Sequence, residues 1–191
     1  MGQCYRPVIG NEKGTRKSVF NEYAKLTEYT FWDDNSCECV AKKIYKTPKR
    51  VAWLGEYASE KHMAFRKSHQ IPEDVRFFDP QKTFGRKNKE KFAYGDKLPL
   101  NGKFFVNHEQ KKFLDLDNYR WLCEDSKEHE SDYAPNPIPL LTAIGNDKGN
   151  FGDYKRTGME NVGIWAWNLV SIEDERPDDS YEEIVLCFFG D

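Results

Sequence analysis

The chain has 191 residues, 38% hydrophobic and 15% aromatic, with 29 basic against 32 acidic side chains and a net charge of −3. That length fits one domain, and so many aromatics at so small a net charge exclude a wholly disordered chain. The charge balance excludes the dominant basic footprint of a duplex nucleic-acid binder, and no segment approaches the apolar length that spans a bilayer.

The opening Met1-Gly2-Gln3-Cys4 lacks the apolar stretch of a secretory leader. Gly2 does not make a myristoylation site, because Arg6 stands where Ser or Thr is wanted. Five cysteines, Cys4, Cys37, Cys39, Cys123 and Cys187, then point to a reduced, cytoplasmic protein. Cys37-x-Cys39 is one residue short of zinc spacing and no second Cys/His pair follows, so no metal and no cofactor are expected.

Residues 3–9 read as an opening strand that Pro7 confines to an edge or a strand end. Residues 10–17 are turn material, and a strand is expected around 25–31, although Val19, Tyr23, Leu26 and Thr30 also sit near helical spacing. Asp33, Asp34 and Asn35 can cap a helix over 36–47 with Cys37, Val40, Ala41, Ile44 and Tyr45 on its inner face; Pro48 closes it. Residues 50–57 read as a buried strand, and 58–72 carry a weak helical pattern. The polar, basic stretch 73–102 reads as a mobile or inserted loop. FFVNHEQKKFLDL over 104–116 is a β-hairpin, and 118–123 continues as strand or turn. Strands follow at 138–144, at 162–172 with a bulge near Trp167-Asn168, and at 182–189. The sum is a single α+β domain over 1–191: a mainly antiparallel or mixed sheet, one or two packed helices and long polar loops. The basic run 81–91 and the acidic run 173–183 read as solvated loops.

Met1-Gly2-Gln3-Cys4-Tyr5-Arg6-Pro7-Val8 is similar to the opening Met-Gly-Gln-Tyr-Tyr-Lys-Pro-Val, and Lys25-Leu26-Thr27-Glu28 to a Lys-Leu-Met-Glu, of an uncharacterised family of small bacterial and phage proteins. Arg50-Val51-Ala52-Trp53-Leu54-Gly55-Glu56-Tyr57-Ala58 resembles Arg-Val-Val-Trp-Ala-Gly-Asp-Tyr-Ala, and Val106-Asn107-His108 a Val-Asn-His turn. Pro139-Leu140-Leu141-Thr142-Ala143-Ile144-Gly145-Asn146 with Gly152-Asp153-Tyr154 resembles Pro-Leu-Leu-Thr-Ala-x-Gly-Asn and a later Gly-Gly-Gly-Asp-Tyr. Val162-Gly163-x-Trp165-Ala166 resembles Val-Gly-x-Trp-Ala. The blocks run from residue 1 to about 184, and the chain departs from them at Cys4 and at Asn150-Phe151. The resemblance implies a phage or mobile-element setting, hence a host cytoplasm, and supplies no activity.

The segment between the last two apolar runs carries the densest candidate chemistry. Gly145, Gly149 and Gly152 can turn backbone N–H groups into an anion nest. Asn146 and Asn150 add neutral donors, Lys148 and Arg156 positive charge. Asp147 and Asp153 would oppose a phosphate unless they take a ribose hydroxyl or a cation. With Tyr154 and Trp167 as stacking rings, this set suits a nucleotide-type ligand; the same composition also serves plain turns. Trp165 shares a strand face with Trp167 on this reading, as a core block or a stacking platform. His108 could act as a general acid or base, and Glu56 with Asp153 could form a carboxylate pair. No Walker loop, GxSxG, HExxH or dinucleotide motif is present.

The expectation is a non-enzymatic binding protein that captures a nucleotide-type or phosphorylated ligand, acting against a host defence. The alternatives are an inhibitor or adaptor of a host protein complex working through 81–91 and 173–183, and a hydrolase or transferase using Asp153, Glu56 and His108.

Overall fold

A computed structural model describes residues 4–13, 17–19, 24–55, 98–125, 134–145 and 158–188. The expected helix at 58–72, most of the basic stretch 73–102, and residues 146–157 lie outside the described residues.

The fold is α+β, built on one mixed sheet. Its strands are β1 (Cys4–Gly10), β2 (Lys17–Val19), β3 (Ala24–Lys25), β4 (Lys49–Gly55), β5 (Phe104–Asn107), β6 (Lys112–Asp115), β7 (Ala143–Ile144), β8 (Leu169–Glu173) and β9 (Glu182–Glu183). The order across the sheet is β2-β1-β4-β8-β5-β6-β9, with β3 beside β1 and β7 beside β4. Strand β4 shares one edge between two partners. Lys49 and Arg50 face Val170 and Leu169 of β8, while Trp53 and Leu54 run parallel to Ala143 and Ile144 of β7.

Three helices are described: α1 (Asn35–Ile44), α2 (Leu116–Asp125) and α3 (Pro137–Leu141). Helix α1 forms under the expected cap but ends at Ile44, short of the expected 47, with Tyr45 already extended beyond it. Asp34 accepts from the Ser36 and Cys37 amides, and Cys37, Val40, Ala41 and Ile44 turn inward. The main core lies between the helices and one sheet face, with Tyr5, Val51, Trp53, Phe105, Val170 and Ile172 from the strands against Val40, Tyr119, Ile138 and Leu141. Alternation along β1 and β4 sends Val8, Ala52 and Leu54 to the opposite face, where they meet Ile144 and Trp167 in a second cluster.

Several expectations are corrected. Pro7 sits inside an inner strand, facing Trp53 across β4. On the other side, the described pairings stop at Tyr5 with β3 and resume at Val8 with β2. The missing N–H therefore falls in a gap of the ladder.

The strand expected at 25–31 ends at Lys25, and a 3-10 turn occupies Glu28–Thr30. Local bonds win there: the Lys25 amide donates to Glu28 Oε2 and Thr30 Oγ1 to the Thr27 carbonyl. Residues 118–123 belong to α2, because Asp115 Oδ1 accepts from the amides of Asp117 and Asn118 as a helix cap would.

The expected strand 138–144 is mostly α3. Asn136 accepts from the Ile138 amide and Pro137 starts the helix, leaving two residues of strand. Of the expected strand 162–172, residues 162–168 are turns that follow a 3-10 turn at Met159–Asn161, and only the rest belongs to β8. The strand expected at 182–189 is limited to Glu182–Glu183.

The turns before β8 rest on Gly163. Its φ is +83°, and a Cβ there would collide with the Ala143 carbonyl.

Candidate functional site

The hairpin β5–β6 turns through Asn107–Lys112. Asn107 is fully buried and its Oδ1 accepts from the amides of Glu109 and Gln110, which closes the turn. His108 follows Asn107, and its amide donates to the Leu169 carbonyl at 2.9 Å, extending the pairing of β5 with β8.

Strand alternation then sets which side chains His108 meets. Val170 and Ile172 face the main core, so Ser171 and Glu173 face the other side, level with Val106 and Phe104 of β5. His108 Nε2 lies 2.7 Å from Ser171 Oγ, and its Nδ1 lies 3.1 Å from the Tyr181 hydroxyl. Ser171 Oγ donates to Glu173 Oε1 at 2.5 Å, and Lys111 Nζ donates to the Tyr181 hydroxyl at 3.2 Å. The Lys111 ammonium also lies 4.4 Å from the centre of the Tyr181 ring.

With a neutral ring at His108 and a carboxylate at Glu173, these contacts admit one proton order. The single Ser171 hydrogen goes to Glu173, so Nε2 of a neutral His108 must donate to Ser171 Oγ. Nδ1 then accepts from Tyr181, whose oxygen accepts from Lys111. The result is a directed chain from an ammonium to a carboxylate. Burial lowers the pKa of His108, Lys111 lowers it further, and Glu173 partly opposes them, so the neutral ring fits its surroundings.

Beside the chain is a cavity of about 300 Å³ lined by Lys46, His108, Glu173, Asp174, Glu175, Pro177, Asp178 and Tyr181. Four carboxylates against one lysine make it an acidic recess. Asp174 is already engaged: Lys103 Nζ and Lys46 Nζ each lie 2.5 Å from its carboxylate, and the Tyr45 hydroxyl donates at 2.7 Å. Hydrogen bonds from Lys103, Lys46 and Tyr45 hold the Asp174 carboxyl far below the usual carboxylate range. Asp178 is lowered too, by the Ser180 hydroxyl and amide.

A second polar cluster pins the turns before β8 to the hairpin. Arg50 Nη1 donates to the Trp167 carbonyl and its Nη2 pairs with Glu109 at 2.7 Å. Asn168 Oδ1 accepts from Asn107 and Gln110, while its Nδ2 donates to Glu109 Oε2.

Among the expected ligand residues, Gly145 is buried at the end of β7. Asn146, Asp147, Gly149, Asn150, Gly152, Asp153, Tyr154 and Arg156 lie outside the described residues, as does Glu56. Trp167 is described and differs from expectation. It is not on a strand, its φ is +61°, and its side chain is fully buried in the second cluster, while Trp165 packs in the main core against Phe105. The two rings therefore form no shared platform, and the Trp167 ring is engaged in packing.

His108 is half-buried with both ring nitrogens committed to Tyr181 and Ser171. Ser171 and Lys111 were not singled out by the sequence, and Glu173 and Tyr181 entered only as members of the acidic run 173–183. Ser171 and Glu173 carry the i, i+2 spacing of one strand face, a signal hidden by placing the strand as far back as 162. Tyr181 approaches from 73 positions away, and no local pattern marks that.

Among the described residues, no group of three or more His, Cys, Asp or Glu could hold a metal ion. No helix among them is long and apolar enough to cross a membrane. No family profile, curated protein or solved structure matches the chain.

Proposed function

We propose that the protein binds its target without turning it over. The observation that carries this reading is the closed chain Lys111–Tyr181–His108–Ser171–Glu173. A serine nucleophile needs a histidine nitrogen that accepts its proton. Here Ser171 donates to a carboxylate, which leaves the neutral imidazole to donate to Ser171, and the serine is fully buried. His108, a candidate general acid or base, is held as a structural link.

The ligand class follows the composition of 145–156: a nucleotide-type or phosphorylated molecule, in keeping with a phage protein that withdraws a host defence signal. A partner protein is the second reading. The recess beside Asp174 and Asp178 favours it, because that recess suits the basic side chain of a partner better than a phosphate.

Isothermal titration against a panel of mono-, di- and cyclic nucleotides tests the first reading, with mass spectrometry of the released ligand. Saturable binding with the ligand recovered unchanged is expected. A converted ligand overturns the non-catalytic reading. No heat across the panel, with one stoichiometric protein retained from host lysate, moves the assignment to the second.

A further inference from the structure

Cys123 on α2 and Cys187 in the C-terminal segment lie 64 positions apart in sequence, and their Sγ atoms are 2.8 Å apart. That is well inside ordinary non-bonded contact between two sulfurs. Neither sulfur is part of a disulfide. Cys123 is buried and Cys187 half-buried, so only one of the two is open to a reagent in solution. Cys37, by contrast, is fully engaged elsewhere, donating to the Tyr29 carbonyl at 2.8 Å.

The surroundings favour a bond that makes and breaks without rebuilding the core. Tyr119, one turn before Cys123, packs edge-on against Phe188, the neighbour of Cys187, with ring centres 6.3 Å apart. The two segments are thus already docked when the thiols are reduced. We propose that Cys123 and Cys187 are a modification site, closing to a reversible disulfide that clamps α2 to the C-terminal segment.

The oxidant class is a small-molecule disulfide such as oxidised glutathione. The Cys187 thiolate attacks one glutathione sulfur, forming a mixed disulfide and releasing one glutathione thiol. The Cys123 sulfur then attacks Cys187 Sγ and displaces the second. Two protein thiols and one glutathione disulfide become one protein disulfide and two glutathione thiols, with no proton left over. Burial pushes the Cys123 thiol far up, with the Cys187 side chain adding to the rise. Cys187 is raised less, by burial with partial relief from Cys123, and it is the thiol at which exchange begins. Closure is therefore slow at pH 7 and speeds up towards pH 9.

The clamp has a structural reach. The Cys187 carbonyl and the Phe188 ring pack directly on Gly158. Closing the bond ties that contact to α2.

The test incubates the intact protein with oxidised glutathione at pH 8.5, then alkylates, digests and maps it by mass spectrometry. A loss of 2 Da, a Cys123–Cys187 linked peptide pair, full alkylation of Cys4, Cys37 and Cys39, and reversal by dithiothreitol are expected. The oxidised form should melt higher by on the order of 5–10 °C. In C123S, glutathione should remain on Cys187 as a stable mixed disulfide. Full alkylation of Cys123 and Cys187 after oxidation, glutathione persisting on wild-type Cys187, or a link to a different cysteine would each overturn the proposal. Mapping of the wild-type protein decides the question even if a serine variant does not fold.

Discussion

His108 shows how one side chain is recruited to hold a surface together. The ring is half-buried, one nitrogen meets Ser171 and the other Tyr181, and burial lowers its pKa. Near neutral pH both folded and unfolded chains carry it uncharged, and it contributes no pH dependence. Below the ordinary imidazole value, near 6.5, the unfolded chain takes up a proton that the folded site resists. Stability then falls as pH falls. The melting temperature of the wild type should drop between pH 7.5 and 5.5 by more than that of His108→Gln. Equal slopes for the two proteins would refute the lowered value. The sequence could show that His108 sits in a hairpin turn, since the alternation on either side of Asn107–Lys111 is local. It could not show Tyr181 or Ser171, because hydrogen-bond partners 73 and 63 positions away leave no trace in spacing.

Helix α1, strand β4 and the β5–β6 hairpin were legible because each signals itself locally, by a cap, an apolar run or a turn. The elements that misled are those where two local rules compete. Asn136-Pro137 is a helix start as well as a loop dipeptide, and the apolar residues after it fit a buried helix as easily as a strand. Trp165 and Trp167 looked like one strand face, yet a left-handed Trp167 sends them to opposite sides of the sheet. Those turns depend on Gly163 lying against the Ala143 carbonyl. Gly163→Ala should cost more than the roughly 1–3 kcal/mol of a left-handed non-glycine residue, since the added methyl also displaces a carbonyl. Gly102→Ala is the control, with a φ of +68° and open space around it. Urea unfolding should give a lower midpoint for Gly163→Ala than for Gly102→Ala. Matching midpoints would mean that the close approach is unimportant.

Taken whole, the molecule is assembled around its late strand. β8 lies between β4 and β5, joining the part made first to the hairpin made later. A chain ending at residue 168 lacks the strand that pairs with both β4 and β5. It should show no cooperative thermal transition and no native near-ultraviolet circular dichroism. A sharp melt for residues 1–168 would mean that the two parts fold separately. The alternation of apolar residues in each strand was readable, but this order was not, because antiparallel partners are chosen by the geometry of connections that local pattern does not encode. The same insertion has a consequence during synthesis. At 5–20 residues per second, on the order of ten seconds separate completion of β4 from completion of β8. Until β8 arrives, the ribosome-bound chain presents an apolar strand whose edge β7 can fill only at Trp53 and Leu54, the feature from which strand-to-strand aggregation grows. Yield in a heterologous host should therefore be governed by chaperone supply and growth temperature more than by the stability of the finished fold.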